Sequence, residues 1–135
     1  MAAQLLGVQA PTLLAGESPG PAVPRDGTLL GALFESLATL SVRTYAANAE
    51  ARVGHLRTQR GRREVDLIVE RADGRVLAIE VKLARTVSSD DLRHLHWLQD
   101  ELGDQVLDRV VVTTGPDAYR RDDGIAVVPL ALLGP

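Results

Sequence analysis

Asp66, Glu80 and Lys82 have residue types and a spacing that could do chemistry. Residues 63–71 and 75–83 alternate apolar and polar with period two, and Ala72-Asp73-Gly74 between them reads as a hairpin turn. A three-residue turn there pairs Arg71 with Arg75. Val69 then stands opposite Leu77, Leu67 opposite Ile79 and Val65 opposite Val81, which gathers three apolar pairs on one buried face. On the other face Asp66 falls directly opposite Glu80, and Glu64 opposite Lys82. Two carboxylates facing each other across a ladder repel by a few tenths to about one kcal/mol even when exposed. Desolvation raises that cost. A hard divalent cation offsets it, since Mg²⁺ takes one or two carboxylates and fills its octahedron with water and substrate phosphate. The same acids could equally be exposed strand residues balanced by Lys82, Arg57 and Arg71.

The lysine is distinctive in this chain. Fourteen of the fifteen basic residues are Arg, and Lys82 is the only Lys. A further alternating segment, 52–59, precedes the pair, with Arg60-Gly61 as a two-residue turn. That turn pairs Leu56 with Val65 and Gly54 with Leu67. It sets His55 opposite Asp66, and Arg57 opposite Glu64. His55 could order a metal-bound water or simply hydrogen-bond the carboxylate. Arg60, Arg62 and Arg63 at the hairpin tip could touch phosphates or form a solvated turn.

Helices must frame these strands. From Thr28, a plausible N-cap, Leu29, Leu30, Leu33, Phe34, Leu37, Leu40 and Ser41 cover one broad arc at helical period. This arc is expected to be the main apolar face. Gly31, Glu35, Ala38 and Val42 form a separate narrow stripe, which sets Glu35 off that face. Ser88 or Ser89 caps a second helix, with Leu92, Leu95, Leu98 and Leu102 inward and Gly103 as its stop. Asp108–Thr114 reads as a buried strand and Ile125–Val128 as a shorter one. The order helix, three strands, helix, strand, strand predicts a small α/β sandwich around a mixed sheet. Residues 1–27 form an apolar segment (Leu5 to Leu14) and a Pro/Gly-rich linker, and 28–135 the folded domain. His94 and His96, two apart on a helix, do not share a face, so a zinc pair is not expected. Trp97 reads as packing or a surface anchor.

Composition narrows the classes. A chain of 135 residues holds one core. A net charge of −3 argues against binding nucleic acid by bulk electrostatics, so any phosphate contact must come from a local arginine cluster. Cysteine is absent, which excludes disulfides and thiolate metal sites. No apolar run reaches the length of a membrane span, and no secretory signal stands at the N-terminus, so a cytoplasmic location is expected. There is no G-x-x-x-x-G-K-[ST] loop, which argues against a self-contained P-loop ATPase.

Glu35 on a helix, Asp66 on a strand and Glu80-Val81-Lys82 on the next strand resemble the E…D…E-x-K signature of the PD-(D/E)xK nuclease-like superfamily. The element order is similar to that superfamily's core. More narrowly, Gly31-Ala-Leu-Phe-Glu35, Arg57…Arg63-Glu64-Val65-Asp66 and Ala78-Ile79-Glu80-Val81-Lys82 look like domain of unknown function 4143, a C-terminal domain of bacterial AAA-type ATPases. The similarity spans nearly the whole chain. The resemblance implies that Asp66 and Glu80 hold Mg²⁺ (or Mn²⁺) with the Val81 carbonyl, and that Glu35 completes the site. It implies that Lys82 positions or deprotonates a water; the hairpin register sets His55, Arg57 and Glu64 nearby as support. The resemblance further implies a phosphodiesterase acting on nucleic acid, DNA in the first instance. The alternative is a catalytically silent accessory or docking module of an AAA-type ATPase. This chain departs from the family pattern in having no ATPase domain, which leaves open a free-standing version, a truncated version, or a partner to an AAA-type ATPase encoded separately.

Overall fold

The computed structural model describes residues 29–58 and 63–133. The elements are α1 (Leu29–Asn48), β1 (Arg52–Arg57), β2 (Glu64–Glu70), β3 (Val76–Val81), α2 (Arg93–Leu102), β4 (Val106–Thr113), β5 (Tyr119–Arg120) and β6 (Ala126–Pro129). They form a mixed six-stranded sheet in the order β1-β2-β3-β4-β6-β5. The first three strands are antiparallel, whereas β4 runs parallel to both β3 and β6. The expected α/β architecture around a mixed sheet is therefore present, with α2 making the crossover that a parallel β3–β4 pair requires. The two-residue strand β5 was not expected. Its Tyr119-Arg120 is too short to carry a period-two pattern. The N-terminal segment, the Thr28 cap and the Arg60-Gly61 turn lie outside the described residues.

Both faces of the sheet are covered, one by each helix. Alternate residues of β3 sort accordingly: Ile79 and Val81 join Ala38, Val42 and Ala46 of α1, while Val76 and Ala78 join Leu95 and Leu98 of α2. Leu92, Leu95 and Leu98 are buried as expected, and Gly103 ends α2 at a positive φ of 54° that a side chain would resist. Helix α2 is preceded by a short 3₁₀ turn, Asp90–Leu92, closed by a reciprocal box. The Ser88 N–H donates to Asp91 Oδ2 at 2.9 Å, and the Asp91 N–H to Ser88 Oγ at 3.3 Å.

Helix α1 is turned the opposite way from the expectation. Its packed residues are Gly31, Ala32, Ala38, Val42 and Ala46, the small-residue stripe. Leu29, Leu30, Leu33, Leu37 and Leu40 are 54–62 % exposed. The reason is volume. The sheet beneath α1 presents Val53, Leu67, Ile79, Val81 and Val112, with Val69, Leu77 and Val110 at the margin. Small helix residues let the backbone close onto these side chains, where leucines would hold it away. Glu35 belongs to the same inward stripe and is half-buried.

Candidate functional site

The β2–β3 hairpin has the expected register at its turn end. Val69 pairs with Leu77 and Leu67 with Ile79, and the Arg71 N–H donates to the Arg75 carbonyl at 2.9 Å. Gly74 takes φ 86° in the turn between them. Further along, the pattern breaks. On the β1 side Gly54 pairs with Ile68 but Leu56 with Val65, so one residue of β1 faces two of β2. This is a β-bulge at Asp66-Leu67, with His55 facing the step. The expected pairing of Gly54 with Leu67 is thus displaced by one residue, whereas Leu56 with Val65 and Arg57 with Glu64 stand as expected.

The bulge inverts alternation on β2. Val65 packs on the α2 side with Leu56 and Ile68, while Leu67 packs on the α1 side. Val65 and Val81 therefore lie on opposite faces, and the expected apolar pair between them does not form. Where an unbroken ladder would offer a backbone acceptor to the Val81 N–H, the Asp66 carboxylate takes its place, with Oδ2 accepting at 2.8 Å. Asp66 thereby reaches the Glu80–Val81 step of β3 along the backbone instead of standing square across from Glu80. Bulges commonly re-aim a side chain in this manner beside functional sites. A simple alternation count cannot reveal one, because the extra residue leaves composition unchanged.

Glu80 and Lys82 lie at the carboxyl end of β3, where open α/β sheets usually bind ligands. Alternation turns both toward the α2 side, opposite to the layer that carries Glu35. Glu80 is half-buried with its Oε1 shut off from solvent, so positive charge beside it is worth more than in water. Lys82 Nζ lies 3.1 Å from Asp91 Oδ1. The expected partner Glu64 instead pairs with Arg57, at 3.2 Å. The Lys82–Asp91 pairing departs from the expected register through the bulge, which moves the amino end of β2 out of register with the end of β3, whereas Arg57 with Glu64 is the pairing the first hairpin expected. Asp91 thus closes the turn before α2 and also holds the lysine. Partial burial opposes its ionisation, but the Ser88 N–H and hydroxyl and the Lys82 ammonium outweigh that and hold its pKa below the usual carboxylate value. The Ser88-x-x-Asp91 spacing was a readable cap signal; its contact with Lys82 had none.

Two histidines flank the step. His55 on β1 is half-buried. Burial first, then the Arg57 charge, lowers its pKa, against opposition from Glu64 and Asp66. His94 on α2 accepts the Glu64 N–H at Nδ1, at 2.7 Å, which ties the helix to β2. Burial and the Arg93 charge lower its pKa, and Glu64 partly counters them. The bond to Glu64 was not foreseen. His96 goes elsewhere, to Asp123 at 3.1 Å, so the two histidines do not converge, as expected from their spacing. The Arg63 guanidinium lies 5.6 Å from the centroid of the Trp97 ring, which makes Trp97 an anchor for the hairpin arm.

The donor set at this strand end, two carboxylates and a backbone carbonyl, fits a hard oxygen-seeking cation in kind. Among the described residues no three His, Asp or Glu side chains gather into a group that could hold a metal ion. A cation here would rely on few protein ligands, with the rest from water and phosphate, the mode in which Mg²⁺ is usually bound. The open cleft of about 500 Å³ between α1 and the ends of β4 and β6, lined by Phe34, Leu37, Thr113 and Leu130, is apolar and separate from this site. Among the described residues no helix is long and apolar enough to cross a membrane.

A family model described as "Domain of unknown function (DUF4143)" matches residues 30–133. No curated protein and no solved structure matches the chain.

Proposed function

The chain belongs to the DUF4143 family, and from that premise we propose that it is a Mg²⁺- or Mn²⁺-dependent phosphodiesterase of PD-(D/E)xK type acting on nucleic acid, with DNA as the first substrate to try. The observation that carries this reading is the bulge at Asp66. It brings one carboxylate from β2 to within 2.8 Å of the Val81 amide, which stands in the chain between Glu80 and the only lysine, Lys82.

In this reading Asp66, Glu80 and the Val81 carbonyl would hold the cation, with Glu35 the fourth candidate, from the α1 layer. When bound, such an ion supplies charge to a phosphate oxygen and lowers the pKa of a coordinated water. The chain's own residues do the rest. The Val81 N–H fixes the orientation of Asp66 by one oxygen, and a carboxylate so held can present its other oxygen to a ligand. Asp91 holds the Lys82 ammonium as a compact, positioned donor, suited to a phosphate oxygen where negative charge develops. His55, whose pKa is lowered by burial and by Arg57, could order a water beside Asp66. Arg57, paired with Glu64, and Arg63 at the hairpin arm supply local positive charge to a chain that is acidic overall.

A second reading, a silent accessory module of an AAA-type ATPase, is favoured by one observation: the absence, among the described residues, of a three-member ligand group. Incubation of the purified chain with plasmid and single-stranded DNA in Mg²⁺, Mn²⁺ or EDTA separates the two. The enzyme reading expects cleavage that EDTA abolishes. Intact substrates across a broad panel of nucleic acids and metals would favour the module.

A further inference from the structure

We infer that Trp97 and Arg63 form the platform on which an unpaired nucleic-acid strand lays a base beside the candidate site. This rests on the nuclease-type reading of that site and adds which form of nucleic acid it takes. Asp91, His94 and Trp97 follow one another at intervals of three, so they lie along one side of α2 and the short turn before it. Each holds part of the site's surroundings. Asp91 Oδ1 lies 3.1 Å from Lys82 Nζ, His94 accepts the Glu64 N–H, and the Trp97 ring carries the guanidinium of Arg63, the residue before Glu64. At a rise of about 1.5 Å per residue, Trp97 stands about 9 Å along the helix from Asp91. One strand advances about 3.4 Å per phosphate, so a strand with a phosphate at Lys82 reaches the ring within about two or three nucleotides.

The pair offers both parts that a nucleotide needs, a flat ring for the base and a forked donor for the phosphate. Trp97 is half-buried and packs partly on the core of the α2 layer. The ring is thereby fixed in place, and stacking on it orders little that was free. The exposed Arg63 places its guanidinium 5.6 Å from the ring centroid, wider than a close contact of about 3.5–4.0 Å, so it can turn to a phosphate. Among the described residues no carboxylate pairs with it, whereas Arg57 is held by Glu64 at 3.2 Å. Arg93 on α2 is 63 % exposed and reaches Asp90 only at 3.7 Å, a surface pair that competes weakly with phosphate.

Charge decides between strand forms. A chain of net charge −3 is poorly suited to neutralise the two backbones of a duplex. Stacking needs less charge and tolerates any sequence, because every base has a π-face. That face is open only where the strand is unpaired. In a duplex the bases cover one another, and a ring on the flank of a helix meets only their edges and the backbone. One fixed ring with one or two arginines beside it therefore fits a single strand.

Trp97 is the chain's only tryptophan, so its fluorescence reports a stacked base. The full chain would be titrated in EDTA at low salt with oligothymidylate and with a duplex of equal length. Oligothymidylate should quench the emission saturably, and the duplex at the same concentration should not. In anisotropy titrations of labelled oligothymidylate, Trp97→Leu should weaken binding at least about fivefold, the low end for losing one base–aromatic stack. Arg63→Gln, at an exposed position, should weaken it by a similar factor and lessen its salt dependence, and keeps the test open should Trp97→Leu disturb packing. Arg71→Gln, which removes the same charge from the far hairpin turn, should bind as wild type does. Emission unchanged by oligothymidylate would overturn the inference and leave Trp97 as an anchor of the hairpin arm alone. Equal quenching by the duplex, or equal losses in Arg63→Gln and Arg71→Gln, would overturn it too. No metal or cleavage enters these titrations. Quenching in a chain that cleaves nothing sinks only the catalytic reading, and cleavage of single strands with undisturbed emission sinks only the platform.

Discussion

Two substitutions on α1, Ala38→Leu and Leu40→Gln, should have effects opposite to those the helix's apolar arc suggests. Ala38 is 0 % exposed and packs among Val42, Val53, Leu67 and Ile79. Adding three carbons there should overpack the layer, at a typical cost of about 1–3 kcal/mol. Leu40 is 62 % exposed, so its replacement removes little buried area and should cost no more than about 0.5 kcal/mol. In a domain near 100 residues each kcal/mol lowers Tm by about 4–8 °C. Ala38→Leu should thus melt roughly 4–24 °C below wild type, and Leu40→Gln within roughly 4 °C of it. Urea melts and thermal melts give both numbers. If Leu40→Gln proves the more destabilising of the two, α1 is packed through its leucines, and the assignment of the small-residue stripe to the core is wrong.

Asp66→Asn keeps an acceptor for the Val81 N–H and should leave metal-free stability within about 1 kcal/mol of wild type, whereas Asp66→Ala strands that buried donor and should cost about 1–3 kcal/mol in urea unfolding. Lys82→Arg should fold normally and retain metal binding, yet lose roughly two orders of magnitude in any metal-dependent cleavage rate; equal rates would reduce Lys82 to the partner of Asp91. Stability should fall as pH drops through and below about 6.5, the unfolded His value. His55 and His94 both have lowered pKa values in the fold, so the unfolded chain takes up protons there before the folded chain does. His94→Gln should flatten that slope in urea melts between pH 7 and about 5, and an unchanged slope would contradict the role given to His94. A second loss, below the ordinary Asp value of 3.8, should follow from Asp91, Asp108 and Asp123, whose pKa values are depressed.

The parts of this fold that were legible were those set by local pattern. The turn at 72–74 fixed Val69 against Leu77 and Leu67 against Ile79, and Leu92, Leu95 and Leu98 with Gly103 marked α2 and its end. What escaped the sequence depended on tertiary volume or on one inserted residue. Which face of α1 is buried was decided by the bulk of Leu67, Ile79 and Val112 on the sheet below, which helix periodicity does not register. The bulge at Asp66 broke the alternation from which Val65–Val81 and Glu64–Lys82 were counted. It also gave Asp66 its hold on the Val81 amide, so the place where the counting failed is the candidate site itself. Sequences specify structure less regularly where backbone geometry is put to use. The engagement of Lys82 by Asp91 spans nine positions and a turn, and only the packing of the 3₁₀ segment against the end of β3 made it visible.

Counting bound Mn²⁺ by electron paramagnetic resonance tests the shared carboxylate site most directly. Wild-type chain, Asp66→Asn and Glu80→Gln would each be titrated without nucleic acid, with folding checked by circular dichroism. The account expects saturable binding of one or two ions by wild type, and a loss of at least about tenfold in affinity in each variant, since removing one of two carboxylates removes much of the charge that holds a hard cation. Equal binding by all three proteins, or no saturable binding by wild type at millimolar Mn²⁺, would contradict it.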